Sequence, residues 1–251
     1  MKSKKTLENL ILPAISVLCI VLIWAVASKI TDSEYILPSV LTTLKATFGV
    51  LSSAKFYGAL LSTLLRVLIA FSISFVLAFA LALLGYKSSK AKKIISPIIS
   101  IIRALPTIAV VLLLLFWTNS FIAPVIVTIL VVLPTIYTGV VNALEGLDKD
   151  LIEMCNVFGV SKKQTFLSVQ LPAIMPSMLT VIGAGLSLNL KLMVAAEVLS
   201  ATVKSVGNLL NYASYNGEMA QMLAIVLITV ILGVVIEAIF NALSKKAGEW
   251  K

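Results

Sequence analysis

Two places in this sequence hold polar groups beside long apolar runs. Residues 153–172 read EMCNVFGVSKKQTFLSVQLP, a polar and basic stretch with a Gly near its middle and a Pro at its end. Lys191 directly follows the uncharged run Ala173–Leu190. An ionisable residue inside an apolar span is by default a functional candidate. Both places suit recognition of a partner or a solute.

Catalytic chemistry is harder to assemble. The chain has no His, which removes the commonest general base and metal ligand. It has no Gly-Lys dipeptide, so it cannot contain the Gly-x4-Gly-Lys phosphate loop of nucleotide hydrolases. Cys19 and Cys155 are far apart in sequence and suggest neither a disulfide nor a metal site. We therefore expect a protein that is not an enzyme and holds no metal.

Composition assigns these residues to a membrane protein. The chain is 60% hydrophobic and 12% charged, with a mean hydropathy of +1.08. Ordinary soluble domains carry about 25% charged residues. The formal net charge of +9 does not indicate nucleic-acid binding, because the lysines lie at the ends of apolar runs. The lipid bilayer is the expected surrounding.

The apolar runs predict six transmembrane helices. A crossing helix needs about 20 mostly apolar residues. Ala104–Leu144 has no charge for 41 residues and must fold back, most naturally at Thr118-Asn119-Ser120. The predicted spans are residues 10–30, 58–86, 94–117, 121–143, 172–196 and 219–242, within one transmembrane domain over residues 10–251.

Lysine positions predict the orientation. With both termini cytoplasmic, 13 Lys fall in inside segments and four in outside segments. Residues 1–9 are then a cytoplasmic N-terminus, and the stretch between spans four and five is also cytoplasmic. An alternative for the first span is a signal peptide, since Ala25-Val26-Ala27 resembles a cleavage site.

Residues 145–171, which we name the interspan segment, follow a soluble-helix pattern. Leu147, Leu151, Met154 or Cys155, and Phe158 form one apolar stripe. Gly159 suits a helix C-terminus, and Ser161 with Gln164 fits a capping box. The pattern predicts helix, glycine corner, helix. The stripe lies against the membrane or its own bundle, or it docks a partner, and the pattern leaves both open.

The interspan segment resembles the signature loop of bacterial ABC importer membrane subunits. That signature is EAA, three residues, Gly, nine residues, then Ile-x-Leu-Pro; here Glu153-Met154-Cys155, Gly159 and Val169-Gln170-Leu171-Pro172 keep the spacing. Further stretches resemble the nitrate/sulfonate/taurine-type subfamily. They are Ile36–Ser39, Ser62–Leu68, Arg103–Pro106, Val194–Glu197 and Val206–Leu210.

The resemblance implies a type I (MetI-like) importer fold with a cytoplasmic coupling helix, in the bacterial inner membrane. It implies a dimeric ABC ATPase that uses ATP and Mg, while this chain binds no cofactor. It also implies a second permease subunit, in a homodimer, and an extracytoplasmic binding protein. The ATPase-coupling residues it implies are Leu151, Glu153, Met154, Cys155, Phe158, Gly159, Val160, Leu171 and Pro172.

For the solute path, the sequence offers Ser187, Asn189, Lys191 and Glu197. The charge of Lys191 favours a small anionic solute such as nitrate, a sulfonate or taurine. Alternatively, Lys191 reaches the interface or pairs with Glu197. Two other functions are considered: a secondary transporter without an ATPase, which would need midplane coupling carboxylates, and a membrane enzyme.

Overall fold

The computed structural model describes residues 2–248, with side chains from residue 11 onward except Pro13 and Lys149. No strand occurs within residues 2–248. The helices are α1 (Lys2–Thr31), α2 (Val40–Leu51), α3 (Ala54–Lys87), α4 (Ser89–Ala104), α5 (Thr107–Trp117), α6 (Ile122–Glu145), α7 (Lys149–Val157), α8 (Lys162–Gln164), a π-helical stretch (Thr165–Gln170), α9 (Leu171–Leu199), α10 (Val206–Tyr215) and α11 (Met219–Gly248).

Within the described chain, five stretches are long and apolar enough to cross a membrane. They are Ala14–Thr31, Ala54–Lys87, Ile122–Glu145, Lys162–Leu199 and Met219–Gly248. Helices α4 and α5 pass the same test together and make a sixth span when counted as one. The predicted class, an all-α integral membrane protein, is confirmed.

The third span is broken, which the sequence prediction of an uninterrupted span did not include. Helices α4 and α5 meet at an angle of 90°. Pro106 has no backbone N–H, and its ring disfavours helical geometry at the preceding residue. Leu105 accordingly has φ −65° and ψ 129°, which is extended. The bend therefore follows from one proline in an otherwise helical run.

The fold-back predicted at Thr118-Asn119-Ser120 is found. Helix α5 ends at Trp117 and α6 begins at Ile122. The Asn119 Oδ1 atom accepts hydrogen bonds from the backbone N–H groups of Phe121 (3.0 Å) and Ile122 (2.9 Å). Asn119 thus satisfies donors that α6 leaves free at its N-terminal end.

The second helix predicted for the interspan segment continues directly into the span that begins near Pro172. Helix α8, the π-helical stretch and α9 run from Lys162 to Leu199 without a loop. The Leu171 N–H donates to the Phe166 carbonyl, five residues earlier. A proline ring clashes with the carbonyl four residues before it, and the wider π turn relieves this crowding. The second half of the interspan segment is therefore continuous with the fifth span.

The chain divides into two compact units, and one contains residues 59–208 together with Thr229 onward. Its core joins α3, α4, α6 and α9 around residues such as Ile136, Val140 and Ile174. A Cβ atom at Gly139 would lie 2.6 Å from Val181 Cγ2, so α6 and α9 approach closely there. Small residues serve this purpose in bilayers, where van der Waals packing holds helices together.

The other unit contains the first 58 residues and residues 209–228. Trp24 Nε1 donates to the Pro38 carbonyl at 3.1 Å, and Ser28 Oγ donates to the Leu37 carbonyl at 3.0 Å. These bonds fix the connection from α1 to α2 against α1. The unit boundaries fall inside helices, so the assignment of one domain to residues 10–251 stays a prediction; residues 249–251 lie outside the described chain.

Candidate functional site

Helix α7 begins and ends with local caps. The Asp148 side chain accepts a hydrogen bond from the Asp150 N–H at 2.9 Å. At the other end, the Val160 N–H donates to the Cys155 carbonyl at 2.9 Å, and the Gly159 N–H donates to Asn156 at 3.1 Å. This pair of bonds is a Schellman motif, whose corner residue needs a positive φ. Gly159 has φ +68°, as the predicted corner requires.

The second helix of the interspan segment is capped at its start by Ser161. Its Oγ atom accepts from the Gln164 N–H at 3.3 Å and donates to Gln164 Oε1 at 2.9 Å. The predicted pairing of these two residues is found, although the Gln side chain binds the Ser hydroxyl instead of the Ser backbone. The two short helices therefore meet at a geometrically fixed corner.

The apolar stripe divides between two faces. Cys155 is only 7% exposed, and Ile152 is half-buried on the same side. Leu151, Met154 and Phe158 point outward with exposed fractions of 41%, 50% and 77%. One face thus anchors α7 to its own bundle. The other, which we name the outer face, is an uncovered apolar surface held in a defined position.

The remaining predicted coupling residues lie around this face or behind it. Glu153, Val160 and Pro172 are exposed. Leu171 is half-buried and packs against the core formed by α3, α4, α6 and α9. The segment therefore presents a mixed apolar and acidic surface on one side and joins the core through the start of α9.

The four residues predicted for the solute path do not form one site. A Cβ atom at Gly233 of α11 would lie 3.1 Å from Ser187 Oγ and 3.6 Å from Lys191 Cε, so these two share the side of α9 that faces α11. Asn189 is fully buried against α3, where its Nδ2 donates to the Val67 carbonyl at 3.3 Å. The Lys191 side chain is exposed.

Glu197 is fully buried and pairs with Arg66, not with Lys191. Thr63 Oγ1 lies 3.1 Å from Glu197 Oε1 and 2.9 Å from Oε2, and the Gly207 N–H donates to Oε2 at 3.3 Å. Arg66 also donates to Ser62 Oγ at 3.0 Å. We name these five residues the Arg66–Glu197 cluster. A buried charge pair needs such additional hydrogen bonds to offset its desolvation.

The Arg66–Glu197 cluster organises the start of α10. Thr63 Oγ1 accepts from the Val206 N–H at 3.0 Å, so α3 and α9 together bind the first N–H groups of α10. Only glycine fits at position 207, because a Cβ there would lie 2.5 Å from Glu197 Cβ and 2.6 Å from the Val198 nitrogen. A carboxylate at a helix N-terminus is favourable in addition.

Sequence reasoning did not predict this cluster. Thr63, Arg66 and Gly207 occur in stretches that resemble the family, but their pairing is set by the fold. One signal was available: Arg66 and Glu197 are opposite charges in apolar spans, where an unpaired charge is costly. Within the described side chains, no group of three or more Cys, Asp or Glu is placed to hold a metal ion.

Comparison with known proteins decides the family. The family model described as "Binding-protein-dependent transport system inner membrane component" matches residues 74–249. The chain belongs to this family. It is therefore a multi-span membrane permease subunit of an ABC importer, and the family is not an enzyme family.

Individual relatives agree with this assignment. An aliphatic sulfonates transport permease, SsuC of Bacillus subtilis, is 23% identical over 98% of this chain and 88% of its own length. A formylaminopyrimidine transport permease, ThiX of Halalkalibacterium halodurans, is 24% identical over 67% of each chain. The solved MetNI methionine ABC transporter in an inward-facing conformation matches with a TM-score of 0.65 and 20% identity. That match covers 75% of this chain and 94% of the other and confirms the MetI-like fold.

Proposed function

We propose that this permease takes up its solute using ATP hydrolysed by separate ABC ATPase subunits, which dock on the interspan segment. The outer face carries this proposal: Leu151, Met154 and Phe158 are exposed on a helix that is fixed at both ends. Exposed apolar surface of this kind marks an interaction site. ATP and Mg bind to the partner, and this chain contributes no nucleotide site.

Movement of the ATPase is transmitted through the helical path out of the segment. Cys155 and Ile152 anchor α7 inward, and the run from Lys162 to Leu199 contains no loop that could absorb displacement. A push on the outer face therefore moves α9. Alternating access requires such a two-state bundle, biased by partners on both sides of the membrane.

The proposed assembly contains two copies of this chain, a dimeric ATPase and an extracytoplasmic binding protein. The family description names a binding protein, which supports that partner. The lysine bias of 13 to four supports cytoplasmic termini in the bacterial inner membrane. Six spans from one copy form a thin wall around a pore, which supports a homodimer.

The proposed solute is a small organic or inorganic anion of the sulfonate, nitrate or taurine type. Lys191 is exposed on the same face of α9 as Ser187, whose side chain is only 2% exposed, so the cation is the group that the solute would meet. The name of the Bacillus relative gives additional support. We expect Lys191→Met to lower uptake of a sulfonate about fivefold, or roughly 1 kcal/mol, with unchanged membrane insertion. Lys204→Met is the charge-matched control, and equal uptake by both variants would remove Lys191 from the path.

The ATPase partner is tested by purification from native membranes. A tagged full-length chain is expected to retain a stoichiometric ATPase subunit. The Phe158→Ser variant is expected to retain at least tenfold less ATPase subunit, because the outer face loses its exposed aromatic ring. Tyr215→Ser is the matched control, since Tyr215 is 89% exposed at the end of another short helix. Purification without an ATPase would favour a secondary transporter instead.

A further inference from the structure

A cavity of about 370 Å³ lies between the end of α3 and the inner side of the interspan segment. This volume falls within the range of about 300–1,000 Å³ that is typical of small-ligand sites. Helix α3, helix α7 and the run from α8 through the π-helical stretch each contribute to the wall. The lining residues are Leu83, Tyr86, Lys87, Ile152, Asn156, Lys162, Thr165, Phe166 and Gln170.

The cavity is positively charged. Lys87 comes from α3 and Lys162 from α8, and none of the nine lining residues is acidic. The ion pairs among the described side chains are Arg66–Glu197 and Lys92–Glu145, so neither cavity lysine is neutralised by a carboxylate. Two cations that two different helices contribute to one concave site attract an anion more strongly than the same charges on a flat surface.

The uncharged part of the lining fits an amphiphile better than a bare ion. Tyr86, Asn156 and Gln170 contribute polar groups, and Gln170 is only 9% exposed. Leu83, Ile152 and Phe166 form an apolar wall beside them. A phosphate that is attached to a hydrocarbon would satisfy both parts.

The bilayer is the nearest source of such a molecule. The apolar run of α3 ends at Tyr86-Lys87, a pairing that is typical of the membrane–water interface. Leu84 lies two residues before Tyr86, in the apolar run of α3, and its side chain is 55% exposed. Lipid chains would contact it there. Basic cavities between membrane helices at the cytoplasmic surface are suited to anionic headgroups.

We propose that this cavity binds the phosphate of an anionic phospholipid, with Lys87 and Lys162 as its two cationic contacts. The lipid connects the end of the second span to the interspan segment from behind, on the side opposite the outer face. Its assignment to the inner leaflet uses the predicted orientation, whereas binding itself requires no ATPase partner and no identified solute.

The test uses the purified full-length chain in detergent, titrated with phosphatidylglycerol and followed by native mass spectrometry. Lys87→Gln with Lys162→Gln is expected to lower the affinity of the tightest lipid site about 25-fold, because each lysine near an anionic surface contributes roughly fivefold. Lys90→Gln with Lys93→Gln removes the same charge from neighbouring lysines outside the cavity. This variant is expected to keep the lipid affinity of that site within about twofold of the unsubstituted chain. Asn156→Trp fills the cavity at constant charge and is expected to weaken it as well.

Phosphatidylcholine and free glycerol phosphate separate the sources of the anion. Neither is expected to displace phosphatidylglycerol at equal concentration, since the first lacks net charge and the second lacks a hydrocarbon. Equal weakening in both double-lysine variants would overturn the proposal in favour of diffuse attraction. Displacement by free glycerol phosphate would also overturn it, because the site would then recognise a soluble anion.

Discussion

Two short helices of this permease, α7 and α10, end in the same way and begin differently. Gly159 and Gly217 have φ +68° and +69° and each close a Schellman motif. Helix α7 is capped at its start by its own Asp148. Helix α10 is also capped locally, because Ser205 Oγ accepts from the Asn208 N–H at 2.9 Å, but its first N–H groups are bound in addition by Thr63 on α3 and Glu197 on α9. The start of α7 is specified locally, whereas the start of α10 combines a local cap with hydrogen bonds from two distant helices.

This difference separates a docking element from a structural one. The outer face of α7 keeps its apolar side chains exposed, so its interactions are still to be made. The Arg66–Glu197 cluster has its carboxylate bound by side-chain and backbone donors from two elements and is hardly exposed. A change in the cluster should therefore alter stability, and a change in α7 should alter coupling with little loss of stability.

The largest effect is expected from Glu197→Ala. Removing one partner of a buried charge pair typically costs about 3–5 kcal/mol, because the other charge stays buried without its partner. The free energy of unfolding in detergent micelles measures this loss. Glu145→Ala is the control, since the Lys92–Glu145 pair is 46% and 49% exposed and should contribute far less.

A double change distinguishes charge from volume at this position. Arg66→Leu combined with Glu197→Leu removes both charges and should recover part of the stability lost in Glu197→Ala. If Glu197→Ala and Glu145→Ala were equally stable, the cluster would not be the structural element described above.

Gly207→Ala is expected to have the next largest effect. Its new Cβ would meet the Val198 backbone nitrogen at 2.6 Å, and backbone atoms cannot move aside cheaply. Overpacking of this kind costs roughly 1–3 kcal/mol, again measured by unfolding in micelles. Gly58→Ala is the control because a Cβ there has no neighbour within 4 Å. Equal stability of the two variants would show that α10 can shift away from Glu197.

The contrast between α7 and α10 also explains what the sequence could predict. Ser161, Gln164 and Gly159 act on neighbours within a few residues, so their spacing predicted the corner of the interspan segment. Glu197 and Thr63 are 134 positions apart, and no local pattern indicates which buried donor meets which carboxylate. The stripe was predicted as one surface because periodicity identifies a face but not how much of it the bundle covers.

The smallest change in stability, with the clearest change in function, is expected from Gly159→Ala. Its Cβ meets no atom within 4 Å, so only the positive φ is penalised, at about 1 kcal/mol. Gly217→Ala has the same φ and the same free space, and it should lose the same stability. We expect only Gly159→Ala to reduce solute uptake per ATP hydrolysed in proteoliposomes containing the whole transporter. The corner at Gly159 sets the angle between α7 and the helix that continues into α9. If both alanine variants transport equally well, the geometry of this corner is structural, and the outer face acts without it.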